Sequence, residues 1–504
     1  MKQPNIIFIM TDTQASNMVG CYTGLPLGTD NIDRLAARGA KFNSAYTTAP
    51  LCTPARAGLF TGLYSNQSGP WTNNLAPGKN MRTMGSYFHN SGWKTGYIGK
   101  WHLDGHDYFG TGICPPEWDE KYWYDGANYL ADLSEDQISL WRNGLNSKEE
   151  LEAYAIDDAF TWGYRISDRA IAFLDERRQQ NDRPFLLVLS YDEPHHPFTC
   201  PPRYLDRYAD FHYPLGAKAK DDLQGKPMHQ RLWAEAMPSP VADGESYHHP
   251  LYFACNDFVD DQIGRVLDHL TPDEWDNTWV IYTSDHGEMM GAHRLISKGS
   301  AGYDDITRIP FIIHGPGLIV REIDTPISHI DLLPTLLEIA NIPRPPALHG
   351  ESLLPLLKAT QTEQPREVMV EFNRYEIEHD SFGGFIPMRA WVSNELKLVI
   401  NLFDEDELYD RKADPDEMNN AIDDPRYAAR RDALHDTLLD YMDRIRDPFR
   451  SYRWAMRPWR PGRHAQWMGA FRPKPDDLVS PVVRDYDTGL PTKGVKIEEK
   501  KQKF

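Results

Sequence analysis

Three short runs of almost unbroken apolar residues each stop abruptly at carboxylate, imidazole or hydroxyl side chains, and this pairing constrains the fold more than any other feature. Residues 5–10 read NIIFIM and lead into Thr11-Asp12-Thr13-Gln14. Residues 184–190 read PFLLVLS and lead into Tyr191-Asp192-Glu193-Pro194-His195-His196-Pro197. Residues 278–283 read TWVIYT and lead into Ser284-Asp285-His286-Gly287-Glu288. Runs without alternation suit parallel strands buried on both faces. A shorter run, 310–314, ends in Gly315-Pro316-Gly317. Between the runs, 158–178 and 252–270 carry apolar residues at helical spacings of three and four. Strands alternating with helices predict an α/β chain, a mostly parallel sheet flanked by helices on both faces. Such sheets bind ligands beyond the carboxyl ends of their strands. Three strand ends of like chemistry therefore predict one site.

The texture changes after residue 365. Residues 367–372 and 390–402 read as strands, the second containing Ser393-Asn394-Glu395 as a hairpin turn. Glu407-Leu408-Tyr409-Asp410 reads as an edge strand and 427–445 as an amphipathic helix. From 449 to 504 the chain shows little periodicity, with Trp454, Trp459, Trp467 and Phe471 set among Arg453, Arg457, Arg460, Arg463 and Arg472. The expected organisation is a first domain over 1–365 that carries the site, a smaller C-terminal α+β domain over 366–448, and an extended arm over 449–504. Tyr, Trp and Arg are enriched at the energetic centres of interfaces. The arm is therefore expected to wrap its own first domain, a neighbouring subunit, or both, giving a homo-oligomer (dimer or tetramer).

Composition narrows the partners. Lys plus Arg number 54 against 74 Asp plus Glu, a formal charge of −20. That balance argues against nucleic acid and against an anionic membrane surface, while a local basic pocket for a small anionic substrate stays open. No apolar run reaches the roughly 20 residues that span a bilayer. Met1-Lys2-Gln3-Pro4-Asn5 does not read as a signal peptide. The five cysteines, Cys21, Cys52, Cys114, Cys200 and Cys255, show no zinc or redox spacing, so a cytoplasmic protein is expected.

Cys52 is the most informative of them. In Leu51-Cys52-Thr53-Pro54-Ala55-Arg56, Pro54 suits the first turn of a helix. Cys52 then lies at a helix N-terminus, where the dipole and free N–H groups favour negative charge. Arg56 adds a fixed cation one turn along. A bare cysteine here is expected to be an acidic thiol.

Cys-x-Pro-x-Arg, after a strand that ends in Asp12, resembles the signature of the type I, formylglycine-dependent sulfatases of the alkaline-phosphatase-like superfamily. Other segments resemble that family's elements in order: Gly99-Lys100-Trp101-His102, Pro194-His195-His196-Pro197, Asp285-His286-Gly287-Glu288, Lys298, and Glu407-Leu408-Tyr409-Asp410 with Asp414-Pro415. The matches run from residue 5 to about residue 420. The resemblance implies an alkaline-phosphatase-like fold and a catalytic sulfatase domain over 1–365. It implies that a formylglycine-generating maturation enzyme, in the aerobic form that recognises Cys with Pro54 and Arg56, oxidises Cys52. The hydrated aldehyde, a geminal diol, is then the nucleophile.

By the same resemblance Asp12, Asp285, His286 and the diol at Cys52 hold one divalent metal. Calcium fits the hard oxygen ligands, and the imidazole leaves magnesium or manganese open. Arg56, Lys100 and Lys298 are the cations for sulfate and diol. His102 takes a diol proton, and His195 protonates the leaving alcohol. His196 is the structural neighbour. The pattern departs at Thr13, where many relatives carry a second Asp. The expected reaction is hydrolysis of a sulfate ester, a small sulfated carbohydrate, to alcohol and inorganic sulfate. Trp71, Asn73, Asn74, His106, Asp107 and Tyr108 are candidates for the sugar, together with Glu371, Asn373 and Arg374 at the end of a predicted strand. Two alternatives remain: a phosphonate monoester or phosphodiester hydrolase of the same superfamily, and a non-catalytic sulfate-ester binder with an unmodified Cys52.

Overall fold

The computed structural model describes residues 3–143, 145–180, 182–238, 241, 244–359, 365–376, 384–463 and 488–490. Within them, β1 (Asn5–Thr11), β2 (Ala40–Phe42), β3 (Lys94–Gly99), β4 (Trp123–Tyr124), β5 (Phe185–Ser190), β6 (Thr278–Ser284), β7 (Phe311–His314) and β8 (Arg321–Ile323) form one sheet in the order β8-β2-β7-β6-β1-β5-β3-β4. β7 runs antiparallel to both its neighbours, and the other pairs are parallel.

Register explains why the polar clusters meet. Met10 lies opposite Ser190 and Thr283, Thr11 opposite Ser284, and Gly99 opposite Ser190. The carboxyl ends of four parallel strands are thus level, and Asp12, Lys100, Asp192 and Asp285 leave the sheet along one edge. Gly99 makes the turn into Lys100 possible. Its φ is +118°, and a Cβ there would stand 2.0 Å from the Ser190 carbonyl oxygen, so only glycine fits.

Successive β1 side chains enter opposite layers, as strand geometry requires. The helices that cover the sheet include α1 (Asp30–Ala36), α2 (Cys52–Thr61), α3 (Met84–Asn90), α4 (Trp162–Gln180), α5 (Pro250–His269) and α6 (Leu332–Ile339). Ile7 and Ile9 share a core with Ile32 of α1, Phe173 of α4 and Val259 of α5. Ile6, Phe8 and Met10 share another with Phe60 of α2, Phe88 of α3 and Leu336 of α6. The helix expected from residue 158 opens instead as a 3₁₀ turn, Asp158–Phe160, capped by the Asp157 side chain, and α4 proper begins at Trp162.

The second unit is an antiparallel sheet of β9 (Val368–Arg374), β10 (Phe385–Val392), β11 (Leu396–Asn401) and β12 (Glu407–Asp410) with α7 (Ala428–Arg444). Trp391 and Leu398 pack against Leu438 and Met442 of α7. Val370 and Met388 on the other face pack with Tyr46 and Leu51, and Glu371 N donates to Thr48 O at 2.8 Å. This sheet therefore braces the loop that delivers Cys52.

The described start of the arm is not simply extended: Tyr452–Ala455 form a helical turn. Trp454 is buried, Arg457 pairs with Asp406 at 2.6 Å, and Trp459 Nε1 donates to Asp406 at 2.7 Å. Arg460 and Arg463 pair with Asp436 at 2.8 and 2.9 Å. These residues serve the chain's own C-terminal unit. Trp467, Phe471 and Arg472 lie outside the described residues.

Candidate active site

Cys52 is the first residue of α2 and is 1% exposed. Its Sγ lies 3.2 Å from His286 Nε2 and 3.7 Å from Asp12 Oδ1. His286 Nε2 is 3.9 Å from Asp12 Oδ1 and 3.7 Å from Asp285 Oδ1. One donor atom from each of Asp12, Cys52, Asp285 and His286 lies within 4.8 Å of every other. Donors about 2.0–2.4 Å from a shared ion stand roughly 3–4 Å apart, so the spacing fits one cation. His286 Nδ1 donates to the Gly287 carbonyl at 2.9 Å, which leaves the Nε2 lone pair for the cage. Asp285 is raised by burial and then by the neighbouring Asp12 charge; a bound cation would relieve both effects.

Thr13 braces these two carboxylates. It holds a left-handed φ of +64°, costly for a β-branched residue. Its N donates to Asp285 Oδ1 at 3.2 Å, its Oγ1 donates to Asp12 Oδ1 at 2.6 Å, and its carbonyl accepts from Tyr252 at 2.9 Å.

The three expected cations converge here with different partners. Arg56 donates to Asp12 at 3.0 Å, Asp285 at 3.1 Å, Ser190 Oγ at 2.8 Å and Lys100 O at 2.7 Å. It orients the Asp12 and Asp285 carboxylates, and four of its five N–H donors are committed to the chain. Lys100 Nζ lies 2.7 Å from Asp12 and 3.1 Å from Asp192. Lys298 Nζ lies 2.9 Å from Cys52 Sγ. Burial opposes the charge on Lys298, but Cys52 and Asp12 outweigh it, so the ammonium stays protonated. Burial also opposes the charge on Asp12, yet Lys100, Lys298 and Arg56 hold its carboxyl well below the usual range.

The acidic thiol expected from the helix start is not found. Burial, and then Asp12, push Cys52 up to about 11 despite Lys298. The two candidate proton carriers are neutral as well. His102 is held well below its ordinary value by burial and then Lys100, and His195 by burial and then Lys298. His102 Nε2 meets Asn74 Oδ1 at 3.0 Å, and its Nδ1 is buried with no partner among the described residues. His195 Nδ1 donates to the His196 carbonyl at 2.6 Å.

The family model for Sulfatase matches residues 4–342. The chain belongs to the sulfatase family. It is a sulfuric ester hydrolase of the alkaline-phosphatase-like superfamily. A second model, for the C-terminal part of N-sulphoglucosamine sulphohydrolase, matches residues 291–444. The uncharacterized sulfatase YidJ of Escherichia coli strain K12 is 69% identical over 504 residues, 100% of each chain. A solved structure of a protein in complex with its substrate D-glucosamine-2-N,6-O-disulfate has a TM-score of 0.70 and 25% identity, over 89% of this chain and 99% of that one. The phosphonate monoester hydrolase of Agrobacterium radiobacter, at 22% identity, also has a TM-score of 0.70, over 88% of this chain and 96% of that one, which shows a shared fold.

In this sulfatase only some of the sugar candidates border the site. Asn74 meets His102, and Asn73 Oδ1 accepts from Thr53 N at the start of α2 at 3.1 Å. Tyr108 stands against His195, its hydroxyl 3.2 Å from Nδ1. Glu371 and Asn373 are occupied elsewhere. Glu371 accepts from Ser65 Oγ at 2.6 Å, and Asn373 accepts from buried Arg389 at 3.0 Å. Trp71 packs against Phe449 at 6.3 Å, while His106 and Asp107 pair at the surface. Sequence reasoning gave no role to Asp192, although it sits in one of the strand-end clusters, nor to Tyr375 and Glu376. Asn73 donates to Glu376 at 3.2 Å and to the Tyr375 carbonyl at 3.3 Å. Burial raises the Tyr375 phenol, with Lys298 opposing and Cys52 adding to the shift.

Proposed function

We propose that this sulfatase hydrolyses a small sulfated carbohydrate with a formylglycine diol at position 52 and one divalent metal held by Asp12, Asp285, His286 and the diol, calcium fitting the oxygen donors best. The observation that carries the reading is the cage of four donors with Lys298 Nζ 2.9 Å from Cys52 Sγ. The metal supplies Lewis acidity toward a sulfate oxygen and favours the ionised diol oxygen. The diol supplies the nucleophilic oxygen and a second hydroxyl whose deprotonation releases sulfate.

The chain's own residues do the rest. Arg56 fixes the two carboxylates. Lys298 places positive charge where nucleophile and sulfate oxygens meet, and Lys100 adds a second charge beside Asp12. Neutral His102, with Nδ1 free, accepts the diol proton. His195 must gain a proton before it can give one to the leaving alcohol; an anionic ester nearby moves its affinity in that direction. Asn73, Asn74 and Tyr108 orient the alcohol. The carbohydrate assignment draws support from the disulfated glucosamine bound by the structural relative.

The reading extends to a cytoplasmic homo-oligomer served by a separate maturation enzyme. The aromatic and arginine residues of the arm beyond position 463, Trp467, Phe471 and Arg472, support the assembly.

Thr13 in place of a second acidic ligand favours a second reading, a phosphonate monoester hydrolase. The kcat/KM for a sulfate monoester is expected to exceed that for the matching phosphonate by at least about tenfold, or about 1.4 kcal/mol of transition-state discrimination. Steady-state kinetics on paired 4-nitrophenyl esters measure it, and a reversed preference would select the second reading.

A further inference from the structure

Asp192 has no part in the roles above, yet it is buried among the cations. Its Oδ1 lies 3.1 Å from Lys100 Nζ and accepts from the Tyr108 hydroxyl. Lys100 Nζ also sits 3.9 Å from the centre of the Tyr108 ring and 2.7 Å from Asp12. Two carboxylates and an aromatic face thus enclose the ammonium. His195 Nδ1, near the Tyr108 hydroxyl, already directs its hydrogen at the His196 carbonyl. Burial, and then the Asp192 charge, keep the phenol protonated. Its one hydrogen therefore goes to a carboxyl oxygen of Asp192; burial raises that carboxyl, while Lys100 and the Tyr108 hydroxyl favour its ionised form.

Among the described residues, three cations (Arg56, Lys100 and Lys298) face three carboxylates (Asp12, Asp285 and Asp192) at the site. Glu193 and Glu288 lie nearby, both pushed up to about 7 by burial, and are common to every form compared below. Deleting the Asp192 charge would leave Lys100 balanced by Asp12 alone and add one unit of positive charge to the anion pocket. A buried charge acts strongly over such distances because little water screens it. A sulfate ester carries one negative charge. A phosphate monoester carries two once its second proton leaves, near pH 6. Added positive charge favours the dianion more than the monoanion.

We propose that Asp192, held by Lys100 and Tyr108, withdraws one unit of positive charge from the anion pocket and so makes the enzyme prefer monoanionic sulfate esters to dianionic phosphate monoesters. The inference rests on the sulfate-ester reading above. Asp192 acts through Lys100 as a positioning residue that sets specificity by charge, an instance of discrimination against the wrong ligand.

The test uses metal-loaded enzyme with Cys52 converted, at about pH 8, where the phosphate monoester is a dianion. Three 4-nitrophenyl esters are compared: the sulfate and the phenylphosphonate, both monoanions, and the phosphate. In Asp192→Asn the phosphate-to-sulfate ratio of kcat/KM is expected to rise at least about tenfold, while the phenylphosphonate-to-sulfate ratio stays within about threefold. Tyr108→Phe removes the hydroxyl and keeps the Asp192 charge. It is expected to leave the phosphate-to-sulfate ratio within about threefold, whatever happens to kcat. An unchanged phosphate-to-sulfate ratio in Asp192→Asn, or an equal rise for phenylphosphonate, overturns the proposal. If Asp192→Asn does not fold, the native enzyme decides. At about pH 8 its kcat/KM ratio of phosphate to sulfate is expected to lie below that of phenylphosphonate to sulfate, and a phosphate ratio equal or higher overturns the proposal. A native enzyme that favours phenylphosphonate over sulfate would defeat the underlying reading, and the proposal with it.

Discussion

Cys52→Ala is expected to lower kcat/KM for 4-nitrophenyl sulfate by at least about 10⁴-fold, roughly 5.5 kcal/mol of lost transition-state stabilisation. The substitution removes the atom around which Lys298, His286 and Asp12 are arranged. It leaves the helix start intact, because Leu51 and the C-terminal sheet fix the backbone there. The loss should therefore fall on kcat rather than on folding, with thermal midpoint and circular dichroism close to those of the native enzyme. The unconverted thiol offers no substitute. Pushed up to about 11 by burial and then by Asp12, it is overwhelmingly protonated at neutral pH and a poor nucleophile. Enzyme made without maturation should thus be nearly as inactive as the variant. Residual activity in Cys52→Ala above about a hundredth of native would remove Cys52 from the nucleophile's place.

The second large effect concerns the metal. Asp285→Asn is expected to reduce bound divalent metal to below about a tenth of the native stoichiometry and activity by about 10²–10³-fold. The amide can still accept from Thr13 N and His286 N, which hold Asp285 Oδ1 at 3.2 and 2.9 Å, but it brings no charge to the cage. Asparagine tests the metal more cleanly than alanine. Alanine would leave the Thr13 and His286 amides without their acceptor; either substitution costs buried Arg56 its Asp285 partner, and breaking a buried pair costs about 3–5 kcal/mol in folding. Elemental analysis of Asp285→Asn and Asp12→Asn reads the outcome directly. Full metal occupancy in both would exclude this ligand set.

The parts of the site that were legible in the sequence are those carried on strand ends. Residues 5–10, 184–190 and 278–283 are too uniformly apolar for an exposed strand, and the parallel pairings that follow make their carboxyl ends level, so Asp12, His195, Asp285 and His286 had to approach one another. Lys100 follows the same logic through Gly99, and Cys52 through its helix start. Residues that arrive from loops or from the second unit could not be placed this way. Tyr108 reaches His195 by a turn that carries no periodic signal, and Tyr375 with Glu376 reaches Asn73 from the end of β9. The same unit explains the misplaced sugar candidates. Glu371 and Asn373 end a strand whose side chains meet Ser65 and Arg389 in the interface rather than the pocket. The acidic thiol was inferred from the helix N-terminus and the Arg56 charge; burial and the carboxylates gathered around it are tertiary facts that outweigh both.

The mass of the proteolytic peptide that contains Cys52, from protein purified from a host with the maturation enzyme, tests the central claim most directly. The account predicts a residue in which one oxygen replaces the sulfur and two hydrogens are lost, the aldehyde of formylglycine, in protein that turns over sulfate esters. An intact cysteine at position 52 in fully active protein would contradict it.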